Sequence, residues 1–266
     1  MTTTTTAAAT TKIINGWKVV GIGDLGGFVA SEDNLSHEGA AWISDEARVF
    51  GEARVSGDAS VSGYATVCGS AKVLGLASVS GSAYVAGTAT IEDYAMVSEQ
   101  AFVIDNAVVA GRAKVSGSAR ILHNAKVQDN AVVRGAAKVR KFACVCGNAT
   151  ISDRAEISGS AHISSDAYVT GAATVSQTAT VFGKAIVSGD AVVTGFTTVY
   201  GSAVVTGNAT IAGDASVSGS AHVSGGAEIF GSVQVFEDAI ISANVKISGK
   251  NQIGGNIKIY DHPNSR

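Results

Sequence analysis

The chain repeats every six residues. From Ile43 to Ile259 each sixth residue is Val or Ile, beginning Ile43, Val49, Val55, Val61, Val67 and Val73, and the phase never slips. Four residues after each stands a small side chain, Ala at every such position from Ala47 to Ala191. Two residues after each, Gly dominates, as at Gly51, Gly57, Gly63, Gly69, Gly75 and Gly81. A β-branched residue between polar neighbours suits a short strand, because alternate side chains point to opposite faces: the Val points in and its neighbours point out. Gly, with Asn, Asp or Ser beside it, supplies the backbone a corner needs, and Ala is small enough to tuck inside that corner. Six residues cannot bury their apolar side alone, so successive units must wind into a coil whose layers stack.

This pattern, with Ile or Val first and a small residue fifth, closely resembles the hexapeptide-repeat family over roughly residues 43 to 261. The resemblance implies an all-β chain: a single-stranded, left-handed parallel β-helix of triangular cross-section, in which three hexads complete a coil of eighteen residues. About twelve coils at a strand spacing of ~4.8 Å make a prism roughly 60 Å long. The expected organisation is a Thr/Ala-rich disordered arm over 1–10, a cap over 11–42, the coil over 43–261 and a tail over 262–266. The cap holds both tryptophans, Trp17 and Trp42, and Phe28. Its stretch GDLGGFVASEDNLSHEGAAWI resembles the opening segment of a bacterial and phage-borne hexapeptide-repeat group, the YdcK-like proteins. Towards the C-terminus Val233, Val245, Asn251 and Ile257 replace the corner Ala, which predicts a distorted cross-section there.

Composition narrows the function. Only 15% of residues are charged and the net charge is −3, which argues against a generally nucleic-acid-binding surface. Three cysteines cannot all pair, and no apolar segment follows Met1, so reduced thiols and no signal peptide are expected. No run approaches the ~18 apolar residues of a membrane span, so a cytoplasmic or virion location without a membrane partner is expected.

An eighteen-residue coil lets the outward rows be read. One runs Ser44, Ser62, Ser80, Ser98 and Ser116, then Arg134, and on through Ser or Thr to Ser242. Such hydroxyl rows order water in ice-binding solenoids, but they are also ordinary solvent-facing strand residues. Tyr84, Phe102, Ile104 and Leu122 are expected to stack outward, and exposed apolar side chains grouped in this way mark an interface. That face, or the open coil ends, would take another copy or a protein partner, and the resemblance implies a trimer. Arg112, Lys114, Arg120, Lys126, Arg134, Lys138, Arg140 and Lys141 crowd together with Asp129 their only acidic neighbour, forming a candidate anion site for polysaccharide or another polyanion. Phe182 above Tyr200 is a candidate for stacking on sugar rings.

Many hexapeptide-repeat proteins transfer acyl groups with a histidine base at a subunit junction. A base needs a partner for its tautomer and a pocket for the acceptor. No insertion interrupts the repeat, so no loop is expected to wall a pocket. His123 falls on a corner, His162 and His222 on outward rows, His37 in the cap and His262 in the tail. The reading is therefore a non-catalytic structural or binding solenoid, with no catalytic residue and no cofactor; its specific form is a phage or prophage fibre, spike or decoration component. Acyl transfer and surface ligand binding are the alternatives. One cluster stands apart: Cys144, Cys146 and His162 fall on neighbouring outward positions of consecutive coils. They offer three soft metal ligands without a fourth, or a thiol whose pKa Lys126 would lower.

Overall fold

The computed structural model describes residues 10–14, 17–21 and 26–260. The chain is an all-β parallel β-solenoid of about 13 turns, with one short 3-10 turn at Glu32–Asn34 among the described residues. It divides into two compact units, 1–118 and 119–266.

In both units each hexad is a two-residue strand followed by a corner. The strand's second residue is the buried Val or Ile, and the corner ends on the buried Ala. Cys144–Val145 shows the register: it pairs in parallel with Lys126–Val127 before it and His162–Ile163 after it, so Cys144 lies opposite His162. The eighteen-residue coil is thereby observed. Strand residues donate to carbonyls of the next coil, as in Lys126 N to Ala143 O and Cys144 N to Ala161 O, both 2.9 Å. Apolar side chains thus fill the inside of every coil while backbone bonds join coil to coil.

In the first unit the hairpin β1 (Thr10–Ile14) and β2 (Trp17–Gly21) is antiparallel, and β2 pairs antiparallel with β3 (Phe28–Val29). On its other edge β3 runs parallel to Arg48–Val49. Residues 28–42 therefore close a turn of their own inside the span read as a cap, which brings the turns to about 13 rather than twelve. Val29 and Leu35 are buried a hexad apart, whereas eight residues separate Leu35 from Ile43 and hide the rhythm. Asn34 closes this turn. Fully buried, its amide donates to Gly51 O at 2.9 Å and Ala53 O at 2.8 Å, while its Oδ1 accepts from Ser31 N. The proposed arm over 1–10 lies outside the described residues except Thr10, which opens β1, and the tail over 262–266 lies wholly outside them.

Corners in the second unit follow a charge rule. Asp129 and Asp153 adopt positive φ, and each carboxylate accepts the N–H of the glycine one coil on, Gly147 at 2.9 Å and Gly171 at 3.1 Å. Gly147 has a φ of 65°, and a Cβ there would meet Ser165 N at 2.7 Å, so close stacking of corners demands its absence. The substituted C-terminal corners vary. Val233 is fully buried and the ladder continues past it, Gln234 N to Asn251 O at 2.8 Å, but Asn251 and Ile257 are exposed. Thr197 also takes an Ala position, fully buried, and its hydroxyl has no hydrogen-bond partner.

Three outcomes are expected. Ala131→Leu, at a fully buried corner, overpacks the coil and lowers stability by at least ~1–3 kcal/mol, read as a fall in the denaturation midpoint. Thr197→Val keeps the shape and removes the unpaired hydroxyl, raising stability by about 1 kcal/mol or more in the same assay. Asp153 is held below the usual carboxylate range by the hydrogen bonds from the Thr170 hydroxyl and Gly171 N–H. Its folded pKa is depressed, so its contribution is present above the unfolded value of about 3.9 and is lost as pH falls through the folded one. Wild type and Asp153→Asn should therefore differ in denaturation midpoint at neutral pH and converge in acid.

Candidate functional site

The pleat of a two-residue strand puts the residues on either side of its inward Val on one face. Cys144 and Cys146 flank Val145 in this way, and the next coil brings His162 beside them. Cys146 Sγ lies 3.7 Å from His162 Nε2, and the two sulfurs and an imidazole nitrogen all lie within 4.8 Å of one another. No other trio of His, Cys, Asp or Glu among the described residues makes such a group. Both cysteines are half-buried.

That half-burial decides the thiol chemistry. Desolvation pushes the Cys146 thiol up to about 11, with the Cys144 and Asp129 charges adding to it. Cys144 is also raised, burial again outweighing the opposing hydrogen bond from Cys146 and the Lys126 charge. The expected lowering by Lys126 is therefore real in sign but the smaller effect. Neither sulfur is an activated nucleophile at neutral pH.

The basic residues disperse over faces. In the second unit Arg120 and Lys138 are register partners, and Arg140 follows on the strand of Lys138. Arg140 is ion-paired with Glu156 of the next coil. Lys126 belongs to a second sheet, Arg134 follows the Val132–Val133 strand of a third, and Lys141 sits on a corner at positive φ. In the first unit Arg112 lies on a corner over the Tyr94 ring, 5.6 Å from its centroid, and Lys114 is the register partner of Met96.

The apolar residues divide likewise. In the first unit Tyr84 and Phe102 stack in register with ring centroids 5.8 Å apart, Phe102 is 39% exposed, and Ile104 is half-buried on the same face. Leu122 belongs to the second unit and is half-buried. Phe182 and Tyr200 lie nearly parallel at 5.1 Å, so each already covers one ring face of the other.

Two features escaped the repeat pattern. Cys68, buried beside this apolar face, donates its thiol to the Tyr84 hydroxyl at 3.3 Å, a pair separated by 16 residues and so invisible to an eighteen-residue row. The loop around the 3-10 turn walls two open grooves, although no loop was expected to make a pocket. The larger, about 520 Å³, is lined by Asp33, Glu52, Arg54 and Lys72 among others. The smaller, about 280 Å³, places His37 alongside Glu32, Asp33 and Arg54. Ser31 and Asn34, the capping pair of that turn, were the available signal. Of the other histidines, His123 is an exposed corner residue at φ 61° and His222 a half-buried strand residue; His262 lies outside the described residues.

No known family profile matches the chain. No curated protein matches it either. A solved structure from Desulfovibrio desulfuricans G20 that bears an acetyltransferase name is similar at a TM-score of 0.24 and 9% identity, over 86% of this chain and 70% of that one. So distant a likeness carries no argument about activity. No helix among the described residues is long and apolar enough to cross a membrane.

Proposed function

We propose that the protein is a non-catalytic β-solenoid that works by presenting flat, regularly spaced faces for assembly or binding. The observation carrying this reading is the strand-and-corner unit itself, repeated without insertion from Ile43 to Ile259, so that within each unit outward side chains stand in rows. A fibre, spike or decoration role in a phage or prophage particle is its specific form, supported by the YdcK-like resemblance of residues 23–43. The apolar face of Tyr84, Phe102 and Ile104 takes a second copy of the chain under this reading. Rows spaced at the ~4.8 Å of a sheet match the same spacing in another copy, which suits a self-complementary contact.

Acyl transfer is the second reading. It is supported by the repeat's resemblance to a family with many acyltransferases and by His37, which shares a groove with two carboxylates and Arg54. One protein preparation separates the two. Sedimentation at micromolar concentration should show self-association of wild type and its loss in Phe102→Asp; a monomer in both would remove the second-copy contact. Coenzyme A thioesters should not be turned over, and turnover abolished by His37→Ala would replace the first reading with the second.

A further inference from the structure

We infer that Cys144, Cys146 and His162 form a binding site for one zinc-class divalent ion, with three protein ligands and a fourth position taken from solvent. The distances carry this. An ion ~2.3 Å from sulfur and ~2.0–2.1 Å from imidazole nitrogen, at a tetrahedral angle, holds those two atoms roughly 3.6 Å apart. Cys146 Sγ and His162 Nε2 stand at 3.7 Å before any ion pulls on them. The Cys144 sulfur completes the group, the three ligand atoms all lying within 4.8 Å of one another.

The fold preorganises the three side chains. Both cysteines sit on one strand around the fully buried Val145, and His162 is locked opposite Cys144 by the parallel register, with Cys144 N bonded to Ala161 O at 2.9 Å and Cys146 N to Ile163 O at 2.9 Å. Two thiolates neutralise a divalent charge, and thiolate with imidazole selects zinc-like ions over magnesium or calcium. Both cysteines are half-buried. The site is independent of the assembly reading and needs neither the apolar face nor the N-terminal grooves.

The test uses the full chain without an affinity tag, reduced with a non-thiol reductant, and titrated with zinc against a chromophoric chelator. Wild type should bind one equivalent. Cys146→Ser and His162→Thr, whose new residues already occur on outward rows, should each weaken binding on the order of 10–100-fold or more, since even a lost outer-sphere partner costs that much. Cys68→Ser should bind as wild type does. Cobalt loading should give sulfur-to-metal charge transfer in wild type that Cys146→Ser diminishes. No binding by wild type, or equal binding by wild type, Cys146→Ser and His162→Thr, would overturn the site. Matching circular dichroism and denaturation midpoints among the variants show that a loss reports the ligand rather than the fold.

Discussion

Coil-to-coil backbone pairing is the constraint on which everything else rests. Each short strand holds only two residues, too few for stability alone, and its N–H groups are satisfied by the next coil, as Arg54 N is by Ala71 O and Ser216 N by Val233 O. From Ile43 on, this ladder runs at a constant coil length of eighteen residues. It therefore dictates a β-branched residue where the side chain points in and Ala where the corner folds over itself. Positive φ is then needed at the corner, usually from Gly. Where Asp or Glu stands there with a glycine one coil on, its carboxylate can accept that glycine's N–H, as Glu99 does for Gly117 and Glu237 for Gly255.

The same constraint makes the exterior a place for function without disturbing the interior. Outward positions lie off the solenoid's interior and vary from Ser to Tyr to Lys, while the inward Val or Ile persists. Identity on the faces is therefore free to assemble chemistry by stacking. Cys144 and His162 are distant in sequence but neighbours by register. Arg140 reaches diagonally to Glu156, the register partner of Lys138 in the next coil, which turns part of a basic stretch into an ion pair. The charge crowding seen along the chain is thereby spread over three faces, because six residues carry the chain past one corner.

The N-terminal turn departs from the rule and gains its features from the departure. Two additional residues between Leu35 and Ile43 are paired with an Asn whose amide reaches the carbonyls of Gly51 and Ala53. The 3-10 turn before them lines both grooves through Asp33, and the start of the longer loop adds Ser36 and His37 to the smaller one. Antiparallel pairing of β2 with β3 covers a parallel edge that would otherwise offer unpaired backbone groups.

The sequence by itself determined the six-residue period and the inward and outward faces; the eighteen-residue coil, and with it the stacking of Cys144 on His162, was implied by the resemblance to hexapeptide-repeat proteins and is seen in the register. Period and faces are legible because they follow from a local rule enforced at every repeat. Only the tertiary structure decided where the first turn begins, since β3 is defined by partners on both edges rather than by its own pattern. It also decided the 3.7 Å between Cys146 and His162, the orphaned Thr197 hydroxyl and the thiol contact of Cys68 with Tyr84. Those depend on side-chain rotamers and diagonal approaches across coils, which a six-residue period does not encode.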